Sequence, residues 1–299
     1  CRGKLIDILN VAETDTRTMA NLMVGREVSF TVDKPEPGFG KEVLRVEHLT
    51  VRNEDRYEVV KDVSFSVREG EIFVVAGVSG NGQIELADAI AGLMKPAAGT
   101  ITLNGIDITS YSIRRRNLAG LSYIPEDRHN VGLVMDFTLS DNLALKSYFK
   151  EPFSTKGVVH TDAFMKYGET LIDKYDIRSS QGNNTVVRSM SGGNQQKAII
   201  AREIELDSSL TIFVQPTRGL DIGAIENIHK QIVDERNKGK AILLISLELD
   251  EVMNLADTIG VIYNGAIQKI ADARTLTPTE VGEFMMGVGD RNANRHGKV

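Results

Sequence analysis

The chain has 299 residues and two-fifths of them are apolar, enough for one large domain or two small ones with a sizeable core. A net charge of -6 argues against a general nucleic-acid binder, and no run of about 18 apolar residues is present to span a membrane as a helix. Cys1 is the only cysteine, so no internal disulfide is possible and a reducing cytosol is the natural setting.

The chain opens on Cys1, not Met, and its first stretch resembles its last. GKLIDILNVAETDTRTMANLMVG from Gly3 aligns without a gap on GAIQKIADARTLTPTEVGEFMMG from Gly265. Gly3 meets Gly265, Ile8 meets Ile270, Met23 meets Met285 and Gly25 meets Gly287, all at one offset of 262. Each copy reads as a strand end, a polar turn and a short helix. Either two short tails coincide, or the chain is the tail of one copy followed by all of the next in a tandem protein. On the second reading residues 1–30 are the tail of a preceding unit, and the Pro- and Gly-rich stretch 31–40 is a linker. A polar tail occupies 291–299.

From residue 41, VLRVEHLTV and VVKDVSFSV alternate apolar and polar residues, as half-buried antiparallel strands do. EIFVVAG is continuously apolar, the pattern of a strand covered on both faces, and IELADAIAGL follows with helical spacing. TITLNG is a short strand closed by Asn-Gly. Residues from about 127 to 190 carry polar, aromatic and helical segments and no buried strand, which predicts a helical insertion. The buried pattern returns with SLTIFVQP as strand, IGAIENIHKQIVDERNKG as helix, KAILLIS as strand and LDEVMNLAD as helix. TIGVIYNGAIQKI closes as a hairpin around Asn264-Gly265. The alternation predicts a mainly parallel α/β sheet with an antiparallel β subdomain and an inserted helical subdomain, over residues 41–290.

Three motifs carry chemistry. GVSGNGQIEL, residues 77–86, has the glycine spacing of a phosphate-binding loop in Gly77 and Gly82, with Gln83 and Ile84 where that loop carries Lys and Ser/Thr. Backbone N–H groups across Ser79, Gly80, Asn81 and Gly82, with the following helix N-terminus, would form a positive cradle that needs glycines and no lysine. Gln83 offers a neutral hydrogen bond in place of a charged one, a loss of about 1–2 kcal/mol; Ile84 offers a metal nothing. The same residues also suit a plain turn that packs helix on strand. SMSGGNQQKAIIARE places Ser191, Gly192, Gly193 and Asn194 at a helix start, either a second anion site or an ordinary Ser cap. LTIFVQPTRGLD runs an apolar strand into Pro216-Thr217-Arg218-Gly219-Leu220-Asp221.

Together these motifs resemble an ATP-binding cassette (ABC) domain over residues 41–287, with SGGNQQK as its signature and PTRGLD as its D-loop. YIPEDRHNVGL at 123–133 stands where that family's Q-loop stands. With PTRGLDIGA and SLELDEV it looks like the simple-sugar and nucleoside importer branch, whose ATPase subunits carry two cassettes in one chain; this chain looks like the second, C-terminal one. The resemblance implies ATP as ligand, stacked on an aromatic for which Tyr57 is the candidate; a strand-capping Tyr is the alternative. The chain departs from the family at the chemical positions. The Walker A Lys and Ser/Thr fall on Gln83 and Ile84, the Walker B Asp and Glu on Val214 and Gln215, the switch His on Leu247, and the Q-loop Gln on Glu126, a carboxylate able to approach a metal. Val214 cannot hold Mg²⁺ through water, and the Gln215 amide is a poor base.

ABC domains pair head to tail, each nucleotide lying between the Walker motifs of one and the signature of the other. The resemblance then implies a degenerate Walker site in this chain, no catalytic residue in cis and weak hydrolysis by the chain alone. Ser191, Gly192, Gly193, Asn194 and Asp221 would complete a partner's site, and Mg²⁺ is expected only there, with no metal site on this chain. The implied partners are the first cassette of the same chain or a second copy, transmembrane permease subunits touching the insertion and Glu126-Asp127-Arg128, and indirectly an extracytoplasmic substrate-binding protein. The implied place is the cytoplasmic face of the membrane, as a peripheral subunit. A soluble non-transport ABC ATPase and a structural cassette that binds no nucleotide are the alternatives.

Overall fold

Apolar residues on alternating positions build the first sheet. In the computed structural model, which describes residues 34–36 and 38–288 and a few short pieces between 6 and 22, β1 (Glu42–Arg52) pairs antiparallel with β2 (Glu58–Arg68) and with β4 (Pro96–Leu103). β5 (Ile106–Asp107) joins β4 through the Asn104-Gly105 turn, both of whose residues have positive φ (50° and 77°). The sheet order is β2-β1-β4-β5.

The second sheet has the order β12-β11-β3-β10-β9-β6. β3 (Ile72–Ala76), β6 (Leu121–Ile124), β9 (Leu210–Val214), β10 (Ala241–Ser246) and β11 (Thr258–Tyr263) run parallel; only β12 (Ala266–Asp272) runs antiparallel, joined to β11 by the Asn264-Gly265 turn. β3, β9 and β10 are buried at every residue, which is why they read as unbroken apolar runs. Their alternate side chains feed two cores. Ile72, Val74, Phe213, Ile242 and Leu244 face one, against helices; Phe73, Val75, Ile212, Val214, Leu243 and Ile245 face the other, under the antiparallel sheet. Phe65 of β2 stacks on Phe73 of β3 at 4.9 Å between centroids and joins the two sheets.

The helices are α1 (Gln83–Ala91), α2 (Ile113–Leu118), α3 (Leu139–Ala144), α4 (Thr161–Lys174), α5 (Gly192–Ile204), α6 (Ile222–Asn237), α7 (Leu249–Leu255) and α8 (Pro278–Met285), and all but α2 lie where the sequence pattern puts them. Between residues 127 and 190 lie a π-helical turn at Arg128–Gly132, α3, α4 and two short 3-10 turns. The two strands there, β7 (Ser154–Thr155) and β8 (Val158–Val159), form a small hairpin whose valines are exposed. Residues 265–287 are β12, a turn and α8, the last held by a capping box between Thr277 and Glu280.

Of the first copy of the terminal repeat, Gly3, Met23 and Gly25 lie outside the described residues, as does the tail 291–299. The described part of the linker is strapped to the fold. Lys34 Nζ lies 2.9 Å from Asp257 and donates to the carbonyls of Leu255 and Ala256, and Arg236 donates to Pro35 O and to both Asp257 oxygens.

Candidate functional site

The glycine loop leaves β3 at Gly77 and enters α1 at Gln83. Gly80 and Gly82 take left-handed φ values of 86° and 95°, and Gly82 is the N-cap. A side chain at Gly82 would strike the carbonyl of Val59 on β2, so the chain approaches β2 too closely for any other residue. Asn81 ties the loop to the far hairpin: its Oδ1 accepts from Asn264 N at 2.8 Å and its carbonyl from Gly265 N at 3.1 Å. Val78, Ser79 and Gly80 are exposed, so the outer turn of the loop is open to solvent.

The side chains at the end of the loop face elsewhere. Gln83 is 2 % exposed, and its Nε2 donates back to Val78 O at 2.9 Å, so the amide satisfies the loop itself. Ile84 is half-buried and packs on the same apolar cluster that contains Val214, which is wholly buried at the end of β9. No oxygen donor stands at either position, and among the described residues no group of three or more His, Cys, Asp or Glu is placed to hold a metal. The loop backbone thus fits phosphate; the donor set beneath it does not fit Mg²⁺. Gln215 follows Val214 with a left-handed φ of 44° and gives its N–H to Ile245 O at 2.9 Å. Leu247, just past β10, is half-buried. Tyr57 sits in the β1–β2 turn, its N–H bonded to Asn53 Oδ1 at 2.9 Å, and the residue is 71 % exposed.

The second face is built around Arg128. Its Nη1 donates to Arg218 O at 3.1 Å, and a Cβ added at Gly192 or at Gly219 would meet its Nη2 at 3.8 Å. One guanidinium therefore borders the Q-loop segment, the α5 start and the 216–221 turn. Glu126, for which a metal contact was one expectation, is ion-paired with Arg218. Glu126, Asp127, Arg128, His129, Arg218 and Gly219 line an open cleft of about 510 Å³. Asp127 caps the π turn: hydrogen bonds from the backbone and side chain of Asn130, joined by His129 N–H, hold its carboxyl below the ordinary carboxylate value.

At the start of α5, Ser191 is exposed and makes no capping bond of its own; its Oγ accepts from Asn194 Nδ2 at 2.9 Å. Asn194 Oδ1 accepts from Arg178 N at 2.8 Å. Gly192 and Gly193 are half-buried. Asp221 caps α6 through Oδ1 and Ala224 N at 3.0 Å, so its carboxylate has a local partner. Thr217 and His229 each hydrogen-bond the buried Glu251 Oε1 at 2.9 Å and bind the 216–221 turn to α7. Arg218 and Glu251 stand in the PTRGLD and SLELDEV motifs, but nothing in local spacing pairs them with partners so distant.

Comparison with known proteins gives one consistent answer. The model of a family described as ABC transporter matches residues 60–218. The chain is 46 % identical over 294 residues to the guanosine import ATP-binding protein NupO of Bacillus subtilis (strain 168), covering 98 % of this chain and 58 % of that protein. It is 44 % identical over 286 residues to the nucleoside import ATP-binding protein NupA of Lactococcus lactis subsp. cremoris, covering 96 % and 56 %. It is 36 % identical over 298 residues to the glucose import ATP-binding protein TsgD13 of Haloferax volcanii, covering 99 % and 54 %. The chain thus spans little more than half the length of these relatives. Among solved structures, a nucleotide-free ATP-binding cassette of an ABC transporter superposes with a TM-score of 0.65 at 22 % identity, covering 78 % of this chain and 92 % of that one. An ATP-binding subunit of an ABC transporter does so with 0.65 at 23 %, covering 82 % and 99 %. The fold is that of an ABC cassette.

Proposed function

The chain belongs to the ABC transporter family, and from that premise we propose that it is a nucleotide-binding domain of an importer ATPase for a nucleoside or simple sugar. The relatives bearing import names support that substrate class, with guanosine and nucleosides at the higher identities. In this reading translocation falls to permease subunits, which the chain meets peripherally at the cytoplasmic face; no helix among the described residues is long and apolar enough to cross a membrane. The insertion and Glu126-Asp127-Arg128 are the contact surface, and a substrate-binding protein outside the membrane delivers the cargo.

In this reading residues 1–30 are the tail of a first cassette, 31–40 the linker, and 41–290 the second cassette, with 291–299 a polar tail. The second cassette's own Walker site is degenerate. ATP binds there on the Ser79–Gly82 amides against Tyr57, without a metal at Ile84 or Val214 and with little hydrolysis. Its signature, Ser191 to Asn194 with Asp221, completes the site of the first cassette, where Mg²⁺ and the catalytic residues reside. The observation that carries this is the placement of Ile84 and Val214 in one apolar cluster while Ser191 stands exposed beside the Gly192 and Gly193 amides.

The test compares ATP turnover by this chain alone with turnover by the full-length protein. The expected result is turnover by the full protein at a rate at least about a hundredfold above the fragment, the size of effect set by loss of essential chemical groups. Robust hydrolysis by the fragment sinks the reading. Calorimetry of ATP on the fragment, with and without Mg²⁺, adds a second arm: affinity is expected to be the same in both.

A further inference from the structure

The 216–221 turn also borders a pocket of about 550 Å³, lined by the start of α6 and the start of α7. Leu220, Ile222 and Ile225, each half-buried, give it apolar walls. Carboxylates line it too: Glu226 on α6, and Glu248, Asp250 and Glu251 at the start of α7. Among the described residues that line it there is no lysine, and the single arginine, Arg218, is already ion-paired with Glu126. The pocket therefore carries surplus negative charge.

Glu248 and Asp250 are exposed, and acids in a first helical turn are accounted for by the helix dipole alone. Glu251 is not. It is 5 % exposed. Its Oε1 accepts from Thr217 Oγ1 and from His229 Nε2, both at 2.9 Å, which fills that oxygen's two lone pairs. Its Oε2 has no hydrogen bond or ion pair among the described residues, and it is not one of the polar atoms sealed from the surface. The free oxygen thus opens on the pocket that Glu251 lines. A buried carboxylate with half its acceptor capacity unused costs stability until a donor meets it. Thr217 on the turn and His229 on α6 hold the side chain in place, so the oxygen is presented in one position.

The arrangement of the acids selects the class of donor. No three or more His, Cys, Asp or Glu among the described residues converge as a metal cage. The carboxylates stand instead on two helices around apolar walls. A linear molecule with several ammonium groups joined by methylene segments matches that pattern, with N–H donors for separated carboxylates and apolar stems for Leu220, Ile222 and Ile225. A neutral sugar or nucleoside would leave the charge unbalanced.

We propose that this pocket binds an aliphatic polyamine, with one ammonium on Glu251 Oε2 and another on the exposed Glu248 and Asp250. The bound cation bridges α6 and α7 and braces the 216–221 turn through Thr217. Neither the glycine loop nor Ser191 lines the pocket, so the site is separate from both nucleotide faces.

Spermidine is the probe, and the full-length protein is used without nucleotide. Calorimetry is expected to show a saturable site whose affinity falls as NaCl rises, and saturating spermidine is expected to raise the unfolding temperature. Glu251→Gln keeps an Oε1 that accepts from Thr217 and His229 and removes the charge at the free oxygen. Its affinity for spermidine is expected to be at least about tenfold lower, the size of one charge-assisted hydrogen bond. Should that variant unfold, Ile225→Lys sets a fixed ammonium in the pocket wall and is expected to abolish the site. Wild-type affinity in either folded variant overturns the proposal. So does displacement of spermidine by Mg²⁺ at matched ionic strength, which would mean counterion screening alone. Absence of saturable binding, as when a partner surface covers the pocket in the full-length protein, overturns it as well. None of these outcomes bears on the importer reading.

Discussion

The two faces that bracket a nucleotide in the proposed reading differ in what they expose. The phosphate loop keeps its backbone: Gly82 packs on the Val59 carbonyl, and Asn81 is tied to Asn264 and Gly265. Its chemical positions have turned inward, Gln83 onto Val78 O and Ile84 and Val214 into an apolar cluster. The signature face is the reverse, with Ser191 exposed and Arg128 bordering Gly192 and Gly219. On the proposed reading, a cradle of backbone amides is a by-product of packing and survives without catalysis. The side chains that do chemistry cost stability when buried, and an apolar replacement gains about 1.5–3 kcal/mol per side chain taken from water.

The sharpest way to break this contrast is at the polar face. Ser191→Arg in the full-length protein is expected to lower ATP hydrolysis about a thousandfold, equivalent to ~4 kcal/mol of activation energy, while ATP binding by this chain alone, measured by calorimetry, is unchanged. Retained turnover would mean that the signature serves no partner. At the apolar face the effect falls on folding. Val214→Asp places a carboxylate among Ile212, Leu243 and Ile245 and is expected to lower unfolding free energy by about 3 kcal/mol, read from a urea midpoint. Ile84→Ser in the same chain with Mg-ATP should return part of that loss; if it returns none, the metal site is lost beyond its two side chains.

Between the faces, Gly82→Ala tests the backbone alone. A left-handed φ and the Val59 carbonyl together predict a loss of about 2 kcal/mol and weaker ATP binding. The smallest effect concerns Asp127. The hydrogen bonds from Asn130 and His129 hold its folded-state pKa below that of an ordinary aspartate, so its cap contributes above the ordinary value and is lost as pH falls through the depressed folded pKa. An NMR titration should find its carboxyl midpoint below that of exposed aspartates, and Asp127→Asn should remove the acid sensitivity of the Asn130 amide shift.

Much of this architecture was legible in advance. The unbroken runs at β3, β9 and β10 report burial on both sides, and Asn-Gly at 104–105 and 264–265 marks turns that need positive φ. The candidate site residues were placed by the glycine spacing and by the family resemblance together. Destinations of long polar side chains did not. That Gln83 bonds Val78, that Glu126 takes Arg218 and that Lys146 reaches Glu203 depend on which loops the tertiary fold brings together. The β7–β8 hairpin also escaped notice, because its exposed valines give no alternation to read.

The bond between Asn81 and Asn264 spans 183 positions. A chain made from its N-terminus would finish β3 and the glycine loop early, then wait for almost the whole domain before the hairpin that braces the loop arrived. Contacts so far apart in sequence close late and slowly. In order of assembly, then, the cradle is among the last parts of the domain to set, although its residues are among the first to be made.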